Sequence, residues 1–178
     1  MVVFTVGHST HAIERLIELL SAQGVELVAD VRRWPRSRRH PQFDDDALAV
    51  ELATRAGIGY EHLPELGGRR EPRDDSPNGA WEVPQFRGYA DHVASAEFAR
   101  GLERLETLAR ERPTAVMCAE GDWRRCHRRI LSDVLVARGW EVRHIAPDGS
   151  TSPHALTEFA VVEDGLPRYP AAQLELGI

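Results

Sequence analysis

A helical apolar stripe, a glycine and a short apolar strand recur in that order three times along this chain, and no other feature constrains the fold as much. The first stripe is Ile13, Leu16, Ile17 and Leu20, closed by Gly24 and followed by VELVADV. The second runs from Asp44 through Leu48 and Leu52 to Gly57, followed by IGYEHL. The third carries Ile130, Leu131, Val134 and Leu135, closed by Gly139 and followed by WEVRHI. Apolar residues at this spacing line one helix face, and a glycine just beyond accepts the left-handed turn that ends the helix. Helix–strand alternation implies parallel strands joined by crossovers, with helices on both faces of a sheet.

Adding VVFTV at the start and TAVMC after Pro113 brings the count to about five strands. The expectation is an α/β fold with a single open, mainly parallel sheet of about five strands. Residues 1–149 would form the domain, and 150–178, with Pro153, Pro167 and Pro170, a C-terminal tail packing on it. Residues 87–110 read as helix, broken near Ser95, and 63–86 as the least regular stretch, dense in glycine, proline and charge. A loop of that length in a small domain is more often functional than idle.

Composition narrows the function classes. Hydrophobic residues at 42% supply a core for 178 residues, yet no run approaches the ~20 apolar residues of a membrane span. The opening MVVFTVGHST lacks the basic segment and cleavage pattern of a signal peptide, which points to a cytoplasmic protein with no membrane partner. Two cysteines, Cys118 and Cys126, cannot make a disulfide framework. A net charge of −6 argues against generic binding to nucleic acid, although all 22 basic residues are arginine and several cluster.

In open parallel sheets ligands bind outside the carboxyl ends of the strands, so the residues that follow each strand carry the functional signal. Strand one leads into Gly7, His8, Ser9 and Thr10. Strand two ends at Asp30 and enters the arginine-rich loop Arg32–His40. Strand three ends at Glu61 and His62 and reaches Gly67, Gly68, Arg69 and Arg70. Strand four ends at Cys118, followed by Ala119, Glu120, Gly121 and Asp122 before a helix expected near Arg124.

The segments VGHST, VADVRRWPRSRRHPQF, YEHLPELGG, MCAEGDWRRCHRR and VRHIAPDG resemble, in order and spacing, the bacterial family catalogued as domain of unknown function 488. The resemblance covers nearly the whole chain, and its most distinctive block is Met-Cys-Ala-Glu followed by Cys-His-Arg. It implies an α/β fold and no established reaction.

Residue chemistry must therefore supply the roles. Cys118, between a strand and a helix start, suits a thiolate nucleophile, and five residues separate it from Arg124 as in phosphatase and rhodanese loops. It equally suits an inert buried thiol, and Glu120 and Asp122 would repel an anion from such a loop. On a helical wheel His127 falls with the buried side, pointing at the strand-end cleft. Arg125, Arg128, Arg129 and Ser132 fall on the opposite, solvated face. Glu120 and His127 are the expected proton carriers, with His8 assisting and Asp30 as a further carboxylate candidate that could instead hold Arg32 in an ion pair. Ser9 or Thr10 is an expected helix cap.

Arg32, Arg36, Arg124, Ser9 and His62 form the candidate substrate-binding set, and Trp34 among the loop arginines suits base stacking. Cys118, Cys126, His127 and His8 offer sulfur and nitrogen donors, but adjacent helical residues point about 100° apart, so Cys126 and His127 converge only if their turn is irregular. No metal is assigned. No cofactor is assigned either, since no GxGxxG follows a strand and no P-loop is present.

The expectation is an enzyme, hydrolase or transferase, acting on an anionic small molecule or nucleic acid that carries phosphate. The rivals are a nucleic-acid binding module without catalysis and a Cys118-centred phosphatase-like or rhodanese-like thiol enzyme.

Overall fold

The computed structural model describes residues 1–171. Its main sheet has the strands β1 (Val2–Gly7), β2 (Leu27–Asp30), β3 (Gly59–His62), β4 (Thr114–Cys118), β5 (Glu141–Ile145) and β6 (Thr151–Pro153), in the order β3-β2-β4-β1-β5-β6. The first five are parallel and β6 runs antiparallel to β5. The sheet thus has six strands, one more than the periodicity indicates. The extra strand is three residues long and lacks alternation because it is an edge, where Pro153 needs no ladder donor. A separate hairpin joins β7 (Val161–Glu163) to β8 (Leu166–Arg168). The last residues of the expected tail, 172–178, lie outside the described residues.

Five helices cover the sheet. They are α1 (Ile13–Ala22), α2 (Asp45–Ala56), α3 (Pro84–His92), α4 (Ala96–Glu111) and α5 (Arg128–Ala137). Among the described residues no helix is long and apolar enough to cross a membrane. The break near Ser95 is real, since the Ser95 hydroxyl accepts from the Phe98 amide and starts α4. Gly24, Gly57 and Gly139 all adopt positive φ, as their place after a helix requires.

Two corrections concern helix starts. Neither Ser9 nor Thr10 caps α1. Pairing with β4 continues past β1, with the His8 and Ser9 amides donating to the Cys118 and Ala119 carbonyls, so the helix cannot begin until Ile13. The helix expected near Arg124 instead begins at Arg128, after a separate 3₁₀ turn at Trp123–Arg125.

Strand pleating divides the core. β4 sends Ala115 and Met117 to the face covered by α1 and α2, and Val116 and Cys118 to the face covered by α3, α4 and α5. β2 does likewise, with Val28 on the first face and Ala29 on the second, which carries Asp30 to the α1–α2 side. The chain leaves β1 for α1 on one face and β4 for α5 on the other, so the switch point lies between these two neighbouring strands. It is closed. A Cβ on Gly7 would fall 2.0 Å from the Glu120 carbonyl oxygen, so the β4 loop rests directly on the end of β1 and only glycine fits there.

The C-terminal segment is fastened through Asp133 of α5, which is wholly buried. Its carboxylate accepts from His154 Nε2 at 2.8 Å, the Thr157 amide at 2.8 Å and the Tyr169 hydroxyl at 2.7 Å. Because the carboxylate only accepts, the hydrogens of the rest of the chain are ordered. His154 Nδ1 accepts from His144 Nε2 at 2.9 Å, and His144 Nδ1 accepts from the Thr5 hydroxyl at 2.7 Å. Tyr169 also ties down the irregular 63–86 stretch, its amide donating to Asn78 Oδ1 and its carbonyl accepting from the Ala80 amide. Asp133→Ala strands three buried donors at once. It should destabilise the protein by about 3 kcal/mol or more, read by urea denaturation, while Glu141→Ala at the exposed first residue of β5 should leave the midpoint nearly unchanged.

Candidate functional site

At the carboxyl edge the pleat separates the expected site residues into two clusters on opposite faces. On the α1–α2 side Asp30 and Arg32 form a buried ion pair, with Arg32 Nε donating to Asp30 Oδ1 at 2.9 Å and Nη2 to Oδ2 at 2.5 Å. Asp30 also accepts from the Tyr60 hydroxyl at 2.7 Å and the Arg32 amide at 3.0 Å. The remaining Arg32 donors go to the Phe43 carbonyl and His8 Nε2. His8 donates from Nδ1 to the Ser9 carbonyl at 3.0 Å and stacks on Phe43 at 4.2 Å. His62 donates from Nε2 to the Arg32 carbonyl. Every polar atom of this cluster that the bonds identify is engaged, and Arg32 is only 6% exposed. The cluster holds the β2 loop in place.

Burial, followed by the neighbouring Arg32 charge, pushes the His8 imidazole down to about 4. His8 is thus neutral at pH 7, and unfolding below the ordinary histidine range takes up a proton that the native state refuses. Its contribution is complete above about pH 6.5 and is lost as the pH falls toward about 4. Between pH 7 and 5 it amounts to about 2 kcal/mol. Urea denaturation at the two pH values should show the loss, and His8→Gln should lessen it.

The second cluster, on the α3–α5 side, is built from the turn between β4 and α5. Cys126 has extended backbone (φ −124°, ψ 151°) and His127 a helical one (φ −57°, ψ −17°), so the two are not successive helical residues. Their side chains converge, with Cys126 Sγ 3.6 Å from His127 Nδ1. Cys118, Cys126 and His127 bring their ligand-type atoms within 4.8 Å of one another. His127 Nε2 donates to the Val31 carbonyl at 3.2 Å, and Nδ1 faces Cys126 Sγ. Tyr89 of α3 packs on the His127 ring at 4.9 Å and donates to the Leu66 carbonyl. Gly68 passes over the imidazole so closely that a Cβ would lie 2.6 Å from Nδ1.

Arg128, assigned by helical periodicity to the solvated face, is 1% exposed, and Ser132 is buried with it. Residues 130–135 of α5 are buried without a break, because the C-terminal segment covers the side away from its apolar stripe. Arg128 Nε donates to Cys126 Sγ at 3.4 Å, and Nη2 donates to the Glu120 and Gly121 carbonyls. The neighbouring Cys118 thiol, with the His127 ring and the Arg128 guanidinium, holds Cys126 well below the ordinary thiol range. Cys118, beside that sulfur and buried, is pushed well up.

The other expected residues stand apart. Glu120 is exposed, and its side chain accepts from the Asp122 amide. Arg124 lies on the surface against the Trp123 ring at 4.5 Å, beside Asp122. With Arg124 turned outward and Cys118 protonated, the Cys118–Arg124 segment has neither the cation nor the thiolate of a phosphatase loop. Arg36 is exposed and pairs with Asp45 and Asp46.

An open groove of about 520 Å³ lies beyond Gly68, lined by Arg33, Arg69, Arg70, Arg73, Asp91 and His92 among others. Arg70 pairs with Glu97 and Arg73 with Asp75, while Asp91 is occupied by Ser76, Asn78 and the Arg73 amide. Among the described residues Arg33 and Arg69 pair with no carboxylate. Arg33 donates to the Arg69 carbonyl and lies over the exposed Trp34 ring at 4.9 Å. Of this groove, Gly67-Gly68-Arg69-Arg70 was visible in the sequence as the exit from β3. Its opposite wall on α3 carried no signal of its own.

The family described as Domain of unknown function DUF488 matches over residues 12–135, more than half of the chain. Myo-inositol dehydrogenase Hyg17 of Streptomyces leeuwenhoekii is 30% identical over 118 residues, which cover 62% of this chain and 35% of that protein. The chain therefore spans well under two thirds of that relative's length. No solved structure matches.

Proposed function

From the premise that this chain belongs to the DUF488 family, we propose that it is a hydrolase or transferase acting on a small phosphate-bearing substrate of the nucleotide class. The observation that carries the reading is a groove bearing Arg33 and Arg69, which pair with no carboxylate among the described residues although Glu71 also lines it, where Arg69 directly follows Gly68, the residue packed on the His127 imidazole. Arginine guanidinium groups bind phosphate oxygens in charge-assisted, often bidentate hydrogen bonds. Trp34, 61% exposed beside Arg33, offers a ring face for a base. Cys126 and His127 supply the chemical end of the site.

The groove favours small ligands over a polymer track, because the chain as a whole carries −6. A dehydrogenase reaction, the activity in the name of the Streptomyces relative, finds no dinucleotide fingerprint in the turn after β1. That turn reads Gly7-His8-Ser9-Thr10 and lacks the glycine pattern that admits a pyrophosphate.

The test is calorimetric binding of nucleoside mono-, di- and triphosphates and of pyrophosphate at low salt, with release of phosphate or nucleoside followed in parallel. Arg69→Glu and Arg33→Glu should each weaken binding at least about tenfold, while Arg36→Glu should bind as the wild type does. Cys126→Ser should bind but not turn over. If no phosphorylated compound binds at millimolar concentration, or Arg69→Glu binds unchanged, the reading is wrong.

A further inference from the structure

We infer that Cys118, Cys126 and His127 form a three-ligand site for a thiophilic divalent ion of the zinc or ferrous class, with its fourth position left for water or a substrate oxygen.

The geometry comes first. With metal–sulfur bonds of about 2.3 Å and metal–nitrogen bonds of about 2.0–2.1 Å, a sulfur and a nitrogen on one tetrahedral ion lie roughly 3.6 Å apart. Cys126 Sγ and His127 Nδ1 are separated by 3.6 Å, and the three donor atoms all lie within 4.8 Å of one another. The irregular turn makes this meeting feasible, since Cys126 is extended where His127 is helical.

The surroundings point the same way. A histidine that ligates through one nitrogen typically donates from the other to a carbonyl or carboxylate, which fixes tautomer and ring plane. His127 does this, giving its Nε2 hydrogen to the Val31 carbonyl. Arg128 is a buried cation with no carboxylate partner among the described residues, and its Nε donates to Cys126 Sγ. Hydrogen bonds to a ligating sulfur are the usual support for a thiolate.

Charge indicates what completes the shell. Two thiolates and a divalent ion sum to zero, and Arg128 adds one positive charge. An anionic fourth ligand, hydroxide or a phosphate oxygen, brings the buried group to neutrality. Three protein ligands with one open position is the arrangement of catalytic rather than structural zinc. Such an ion polarises a bound phosphoryl group or delivers hydroxide to it. This use of the ion rests on the phosphate reading above, but its binding does not.

The experiment measures the two separately. Protein purified without chelators is analysed for zinc and iron per chain, then stripped and titrated with cobalt(II). The expected result is about one ion per chain and, on titration, a thiolate-to-cobalt charge-transfer band with the strong visible absorption of a tetrahedral site. Cys126→Ser and Cys118→Ser should lose the band. Zinc should raise the melting temperature of the stripped wild type but not of Cys126→Ser, which keeps the result readable if that variant is less stable. Arg69→Glu should retain the ion while losing nucleotide affinity, so an anion-site failure with an intact metal site is seen as such. Zinc and iron contents no higher than in Cys126→Ser, with no charge-transfer band, would overturn the inference. So would a native protein whose mass and thiol count show Cys118 and Cys126 joined as a disulfide.

Discussion

The site depends on one buried guanidinium. Arg128 reaches back from the first turn of α5 to the Glu120 and Gly121 carbonyls and to Cys126 Sγ. These contacts close the loop between β4 and α5 upon itself. A charged group removed from water must be compensated where it lies, and here carbonyl oxygens and the Cys126 sulfur do so. Because the loop is drawn around Arg128, the 3₁₀ turn at Trp123–Arg125 cannot run continuously into α5, and the residue between them, Cys126, takes an extended conformation. The same constraint lays Glu120 on Gly7 at the end of β1. One ion-dipole arrangement thus seals the switch point of the sheet and sets two sulfurs and an imidazole face to face.

Most of the fold was legible because it is written in periodicities that tertiary context does not override. Leu16, Leu20, Leu48, Leu52, Ile130, Leu131, Val134 and Leu135 are all buried where a 3.6-residue repeat places them. The local chemistry was less legible, for two physical reasons. An apolar stripe marks one packed side of a helix, but α5 is buried from Ile130 to Leu135 without a break, since Asp133 on the side away from the stripe holds His154, Thr157 and Tyr169 of the C-terminal segment. That second contact is long-range and leaves no mark in the local pattern. Proximity along the carboxyl edge was then taken as proximity in space. Asp30 and Cys118 do end neighbouring strands, but alternate pleating turns Asp30 toward α1 and α2 and Cys118 toward α3, α4 and α5. A period of two decides which side chains meet.

The two clusters also show why buried polarity alone is a poor marker of function. His8, Asp30, Arg32 and Tyr60 are the residue types of an active site, yet their donors and acceptors are spent on one another and on the backbone. The Asp133–His154–His144–Thr5 chain is the same case on a longer path. Its polarity fastens the C-terminal segment to the domain, and burial holds His144 down to about 3. Groups so engaged give the native state its uniqueness. Function needs unspent valence, and on the groove that is found at Arg33 and Arg69, which pair with no carboxylate among the described residues.

Charge distribution then sets the scale of the ligand. In a chain of net −6, a long anionic polymer laid over the surface is opposed by the overall charge. The groove arginines left without carboxylate partners correspond to roughly two phosphate contacts. Proteins that hold nucleic acid through its backbone spread many such contacts along a track, and their affinity collapses as salt rises. Arg33 and Arg69 make the groove a site of few contacts, in keeping with the small ligand proposed above.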